Sequence, residues 1–375
     1  MDSVSPFVSE QYMTIIYYSL FIALLSILLL ASTFSHLLRL ERRLVGIIKS
    51  APSRAFGRKS LEVTELYVYP VKSCRGFKVD HTLLRMQGLD LDRRWMFVDA
   101  ETGKFRTIRE SSKMTQIQPA ISADGGSLEL RIAAPGYGDH EANSVSIPAR
   151  PSDDWLATNT TLSSVEIWKA ETDGYLYGPA INEPFSRFLG QPVCHVYKGP
   201  TPRILRGNSK PEILGRTQDT YFPDGHPITV ASEASLTELN SRLEAKGVTD
   251  IDLPMKMERF RPNIIVKGSA PWTEDSWKLV RFRAPDHTEP SQPLDIDITG
   301  HCTRCLIPNV DPETAEKHRT EPWNTLMSYR RVDPKNKFKP CFGVTGVPRS
   351  EGVIEVGMKM EVLALEDRNA PGGNT

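Results

Sequence analysis

One apolar run stands apart from everything else in the chain. Residues 14–34, TIIYYSLFIALLSILLLASTF, carry no charged side chain, and that length suffices for a helix to cross a bilayer core. The flanks differ sharply. Only Asp2 and Glu10 are charged before the run, whereas Arg39, Arg42, Arg43, Lys49, Arg54, Arg58 and Lys59 follow it. The positive-inside rule then puts the C-terminal body in the cytosol. A cleaved signal peptide reverses that order, with basic residues ahead of a shorter apolar stretch. The pattern predicts an uncleaved signal anchor over 14–34, a short tail before it (1–13) and a basic tether after it (35–60).

Beyond residue 61 the period shortens to two. EVTELYVYPVK alternates apolar and polar residues and breaks at a proline, the mark of a half-buried strand. SLELRI follows the turn signal Asp124-Gly125-Gly126, and VIEVGMKMEVLAL reads as two strands broken at Gly357. Helical spacing is rarer. ASEASLTELNSRLEAKG offers Ser235 and Glu238 as a capping box, with Leu236, Leu239 and Leu243 on one face and Gly247 as the stop. Polar, Pro-rich stretches at 134–154 and 284–293 read as surface insertions. The sum is a mainly β protein with some helix, of α+β class: an antiparallel β-barrel architecture in two lobes. Its roughly three hundred residues are ample for a core.

Charge changes this picture little. With 46 basic and 46 acidic residues the net charge is zero, which gives no case for a nucleic-acid partner. Asn159-Thr160-Thr161 forms a glycosylation sequon, relevant only to a luminal body.

Cysteine usage changes it more. HCTRCLIPNVDP, residues 301–312, holds Cys302 and Cys305 in a C-x-x-C spacing around Arg304. The prolines and asparagine that follow put the pair on a turn-rich loop. A guanidinium there lowers a thiol pKa and can grip an oxyanion, which suits a soft metal carrying phosphate. Three other readings compete. A structural zinc site needs four ligands, but Cys74, Cys194 and Cys341 are isolated, leaving only His301 as a further neighbour. A thioredoxin-like pair would open a helix, which the prolines oppose. A structural disulfide does not suit a cytosolic body.

Four stretches, read together, settle on a family. YPVKSCRG (69–76), LDRRW (91–95), RFRPN (259–263) and the CTRC loop with its NVDP sequel resemble, in order and in kind, the MOSC-domain family with its N-terminal β-barrel partner, and within it the amidoxime-reducing molybdenum enzymes of the outer mitochondrial membrane. The resemblance implies an N-terminal barrel domain over 61–190, a MOSC domain over 191–367 and a tail at 368–375. It implies a molybdenum-pyranopterin cofactor with Cys305 as its direct, catalytic metal ligand, a thiolate being the soft donor such a metal accepts. Cys302 is not the family's ligand. Lys72, Ser73, Arg93, Arg261, Asn263, Thr303 and Arg304 match cofactor-binding positions. Arg93 is chosen over Arg94 by its place in the motif, since neighbours on a strand face opposite ways.

The sequence also departs from the family. Gly225 and His226 stand where small polar residues meet the phosphate; they remain candidates through the backbone and the imidazole. Leu306, Ile307, Pro308 and Asn309 replace a threonine-rich stretch of animal members, which reshapes the substrate mouth. The resemblance implies an enzyme that reduces small N-hydroxylated compounds, amidoximes and hydroxylamines, with electrons from NADH through NADH-cytochrome b5 reductase and cytochrome b5. It implies residence on the mitochondrial outer membrane, with the endoplasmic reticulum as the alternative. No dinucleotide or haem-attachment motif is present, which fits external donors. The rival readings are sulfur transfer, as in molybdenum-cofactor sulfurases, and passive cofactor carriage.

Overall fold

Apolar alternation in the body resolves into a ring of seven strands. The computed structural model describes residues 61–138, 143–284 and 292–366. The run 14–34, its tether and most of the 284–293 stretch lie outside the described residues. Among the described residues no helix is long and apolar enough to cross a membrane. The ring comprises β1 (Leu61–Val68), β2 (Ile228–Ser232), β3 (Ile264–Lys267), β4 (Trp277–Arg283), β5 (Leu294–Thr303), β6 (Cys341–Pro348) and β7 (Lys359–Leu365). Its order is β1–β3–β2–β6–β5–β4–β7 and back to β1. Closure leaves no exposed edge to pair with another chain.

The expected antiparallel pattern holds for every pairing in the ring except one. β2 and β3 run parallel, with Val230 opposite Ile264. Parallel neighbours need a crossover, and the helix Glu233–Ala245 supplies it. That helix starts earlier than its capping box predicted. Ser232, not Ser235, is the N-cap, its hydroxyl accepting the Ala234 N–H at 3.2 Å. Ser235 sits inside the helix and donates to the buried Glu274 carboxylate at 2.6 Å. Leu239 and Leu243 are buried on the helix's inner face, and Gly247, at φ +73°, ends it as expected.

In β1 the inward residues are Leu61, Val63, Leu66 and Val68. The step from Val63 to Leu66 breaks strict alternation because a register shift falls there. Outside the ring, Trp95–Asp99, Val193–Lys198, Ala170–Tyr177 and Thr160–Ile167 form an open four-stranded sheet. Ile117–Ile121, Ser127–Ile132 and Ser144–Pro148 form a three-stranded meander. The 134–154 stretch is therefore not a plain insertion: Val145 and Ile147 alternate with serines and are buried. The main apolar cluster runs from the ring into these sheets, and a smaller one around Met96, Val98 and Val196 packs within the four-stranded sheet.

Candidate functional site

The bent end of β5 decides where the cysteines point. Its register with β6 shifts between Ile298 and Gly300 and again between His301 and Thr303. Bulges of this kind re-aim side chains, and His301, Cys302 and Thr303 all border one cleft despite being consecutive. Cys302 thus belongs to the end of a strand, not to a turn-rich loop. The cleft has a volume of about 450 Å³. Thr229 of β2 and Thr345 of β6, directly opposite each other, form part of its wall.

All ten residues singled out from the sequence border this cleft: Lys72, Ser73, Arg93, Gly225, His226, Arg261, Asn263, Thr303, Arg304 and Cys305. Their local geometries differ. Ser73, Arg93 and Arg261 have φ of +70°, +49° and +53°. Left-handed backbone at non-glycine residues is costly and concentrates at functional sites. Arg93 lies in a turn ahead of the strand Trp95–Asp99, so the strand-alternation reason for preferring it over Arg94 does not apply. The turn nevertheless separates the two. Arg93 borders the cleft, while Arg94 binds the Tyr197 hydroxyl and lies over the Tyr197 and Tyr221 rings.

Tyr69 carries two of the cations. The guanidinium carbons of Arg93 and Arg261 lie 4.5 Å and 4.4 Å from its ring centroid. Gly76 makes room for the ring, since a Cβ there would overlap its carbons. Arg93 is braced by Asp92 at 2.6 Å, by the Asn263 side-chain oxygen at 3.1 Å and by the Arg261 carbonyl at 3.2 Å. The Asn263 amide is fully used within the protein. Its nitrogen donates to Tyr67 and Asp92, and its oxygen accepts from Arg93 and from the Thr229 N–H. It positions Arg93 and has little left for a ligand. Arg261 is the opposite case: among the described residues its guanidinium meets the Tyr69 ring but no hydrogen-bond acceptor. Burial, reinforced by Arg93, lowers its pKa, so its charge favours an incoming anion.

A second group of cations converges on Asp224. Lys72 and Arg109 both pair with its carboxylate, Arg109 at 2.9 Å, and the Trp168 indole N–H donates to it at 3.1 Å. Burial pulls the Lys72 ammonium down to about 8 against the attraction of Asp224. Desolvation pushes the Asp224 carboxyl up, but Lys72 and Arg109 outweigh it and hold it well below the usual carboxylate range. Burial lowers the Arg109 pKa, but Asp224 and then the Cys305 sulfur outweigh it and raise it. The sequence offered Arg304 for that position. The structure instead spends Arg304 on main-chain carbonyls, two bonds to Phe342 O at 2.9 and 2.6 Å and one to Phe260 O at 2.7 Å. Arg304 fastens the loop; Arg109 attends the thiol.

Gly225 is exposed at the lip. His226 beside it is half-buried, and its Nε2 is enclosed with no hydrogen-bond partner among the described residues. Burial, then Arg203, lowers its pKa to about 4. All five cysteines are free thiols; Cys74, Cys194 and Cys341 are buried, whereas Cys302 and Cys305 are partly exposed. Among the described residues no three His, Cys, Asp or Glu side chains gather as a metal-ligand set. A metal held by Cys305 would therefore need most of its donors from a cofactor. A partly exposed thiol, an acceptor-free arginine, an enclosed imidazole nitrogen and a buried lysine lining the same cleft fit an anionic group bearing a soft metal.

Sequence reasoning missed Arg109, Asp224, Trp168 and Asp92. Asp224 directly precedes Gly225 and Asp92 lies within LDRRW, so both were within reach; Arg109 and Trp168 carry no motif and meet the cleft only through folding.

Comparison with known proteins identifies the family. Residues 60–192 match the MOSC N-terminal beta barrel domain, and residues 217–361 match the MOSC domain. The human protein named mitochondrial amidoxime-reducing component 1 is 29% identical over 80% of this chain and 82% of its own length. The mouse protein of the same name is 30% identical with the same coverage of both chains. The molybdenum cofactor sulfurase of Oryza sativa subsp. japonica is 28% identical over 80% of this chain, which spans 35% of that protein. With two successive domain matches and relatives that align along most of its length, the chain belongs to the MOSC-domain family.

Proposed function

We propose that the protein is a molybdenum-cofactor-dependent reductase of N-hydroxylated compounds. The observation that carries this reading is a partly exposed thiol, Cys305, in a cationic cleft it shares with Arg109, where the Arg261 guanidinium has no acceptor and His226 Nε2 has no partner among the described residues. The names of the amidoxime-reducing relatives supply the substrate class.

In the pyranopterin form of the cofactor, Cys305 would hold the metal. Lys72, Ser73, Arg261 and His226 would hold the anionic and polar parts, while Arg93, held by Asn263 and Asp92, adds charge. When bound, the cofactor supplies a two-electron redox centre that accepts oxygen. The balanced reaction takes an N–OH group, two electrons and two protons to N–H and water. This chain's own residues place the reactants. Arg109 keeps a positive charge in the same cleft as Cys305, and Asp224 keeps Lys72 and Arg109 charged and directed at the cleft. The bulged end of β5 fixes the thiol's direction. Electrons come from NADH through NADH-cytochrome b5 reductase and cytochrome b5, at the mitochondrial outer membrane with the body in the cytosol.

The similarity to the rice sulfurase favours a second reading, sulfur transfer or cofactor carriage. Reduction of benzamidoxime by full-length protein with NADH, NADH-cytochrome b5 reductase and cytochrome b5 decides between them. Turnover that requires all components and disappears in Cys305→Ala supports the reductase. Full molybdenum and pterin occupancy without reduction of any amidoxime or hydroxylamine, under donors that drive a known relative, favours the alternative.

A further inference from the structure

Next to the cleft stands a loop that its chemistry does not use. Residues 331–339, RVDPKNKFK, join the helix Trp323–Tyr329 to β6. Phe338 at its tip is 86% exposed, more than any other large apolar side chain among the described residues. Lys337 and Lys339 flank it in sequence, with Lys335 three residues before. Among the described residues none of the three ammonium groups pairs with a carboxylate; Lys335 donates to Asn208 at 2.9 Å.

The loop is built, not frayed. The buried Asp333 accepts the Lys335 N–H at 2.9 Å and the Asn336 side chain at 2.8 Å. The Asn336 N–H returns to Asp333 O at 3.1 Å, and the Lys339 N–H to Asn336 O at 2.9 Å. Two successive turns therefore present Phe338 and the lysines in a set arrangement, so a partner need not order them. The loop is also tied to the thiol. The Arg304 N–H donates to Pro340 O at 2.7 Å, which places Phe338 two residues from a carbonyl bonded to the neighbour of Cys305. Leu306, 40% exposed, follows Cys305 directly.

We propose that this loop is the docking surface for an acidic electron-donor protein, a proposal that rests on the reductase reading. A lone exposed aromatic on a loop with three lysines that pair with no carboxylate among the described residues suits a small, transient interface steered by charge. The complementary partner presents carboxylates around its electron-donating group. Each encounter delivers one electron; two encounters and two protons from solvent balance the conversion of one N–OH to N–H and water. An anionic bilayer would also attract lysines. However, Asp333, Asn336 and Lys339 border the cleft, and seating the loop in lipid would press that polar mouth against the membrane. The observations favour the protein partner.

The test uses full-length protein with two reductants: cytochrome b5 with its NADH-dependent reductase, and reduced methyl viologen. Neither Lys337 nor Phe338 borders the cleft, so Lys337→Glu and Phe338→Ser leave the site itself intact. We expect the cytochrome b5 concentration for half-maximal turnover to rise tenfold or more in each variant, and its salt dependence to flatten in Lys337→Glu. Viologen-driven turnover should stay within twofold of wild type. Equal loss with both reductants, or no change with cytochrome b5, overturns the proposal. Direct titration with oxidised cytochrome b5 reads docking without turnover. Salt-sensitive binding weakened tenfold by Lys337→Glu supports the surface even if wild type reduces nothing, a result that would count against the reductase reading alone; binding that is absent, or unchanged in the variant, overturns the surface. In protein reconstituted into phosphatidylserine bilayers, a blue-shifted Phe338→Trp difference emission that is indifferent to cytochrome b5 assigns the loop to lipid and also overturns it.

Discussion

Arg304 and Arg261 border the same cleft, and both lie over aromatic rings, yet their surroundings are opposite. Arg304 is saturated by three bonds to the carbonyls of Phe260 and Phe342. Arg261 has the Tyr69 ring and, among the described residues, no acceptor. A partly enclosed cation that is satisfied by backbone builds structure; one left without an acceptor asks for an anion from outside. Two histidines repeat the contrast. Among the described residues both ring nitrogens of His195 lack partners, but it packs against Phe97 and Tyr177 in the core. His226 has one enclosed nitrogen and borders the cleft. An orphaned polar atom is thus a ligand signal only where there is room for the ligand.

The sharpest way to break this picture is at the thiol. Cys305→Ala should lose bound molybdenum and all turnover, whereas Cys302→Ala should keep the metal; elemental analysis with a turnover assay reads both. Equal loss in the two variants, with zinc in the wild type, would replace the molybdenum reading by a structural cysteine site. Next in size is Arg304→Ala. It removes charge-assisted bonds worth about 1.5–3 kcal/mol each before any relaxation, so the thermal midpoint should drop by several degrees. Arg304→Lys should rescue little, because an ammonium cannot span the same carbonyls.

Arg261→Ala should do the reverse. Its thermal midpoint without cofactor should match wild type, while cofactor affinity falls by about one to two decades. Equilibrium loading followed by pterin analysis measures this. If Arg261→Ala unfolds the protein and Arg304→Ala only empties it, the contrast is wrong.

The smallest effect is on pH dependence. Burial holds His195 down to about 3 in the folded protein, against about 6.5 in the unfolded chain. The unfolded chain therefore binds a proton that the folded one refuses, and stability falls as pH drops from about 6.5 toward 3. His195→Phe should flatten denaturation midpoints over that range by about one proton's worth, roughly 1.4 kcal/mol per pH unit at most. His226, near 4 in the folded state, acts in the same direction, but its contribution should change on cofactor loading while that of His195 does not. An unchanged His226 contribution would mean the imidazole makes no ligand contact.

Legibility in the sequence followed the range of the interactions. Period-two alternation marked β1 and β7, and Gly247 and Gly357 marked real stops, because those signals depend on near neighbours. The helix at 233–245 was visible, but its start was misplaced because Ser232 and Ser235 offer similar hydroxyls. Only the packing of Glu274 claims the second. Val145 and Ile147 were hidden within a polar stretch. All ten candidate site residues do meet at one cleft, since each sits in a compact local motif. What each does there was not legible: Asn263 and Arg304 turn inward, while Arg109, with no motif, stands at the thiol.

Taken by itself, the sequence determined the β-rich class, the apolar run at 14–34 and the motifs that gather around Cys305. Those depend on composition and spacing along one chain. Tertiary structure alone decided the closed seven-stranded ring, its single parallel pair and the partners of each charge. A guanidinium's role depends on which acceptors lie within about 3 Å, and residues far apart in sequence supply them. Arg304 finds carbonyls on the neighbouring strand and at Phe260, and among the described residues Arg261 finds an aromatic face and no acceptor, a distinction that no spacing along the chain encodes.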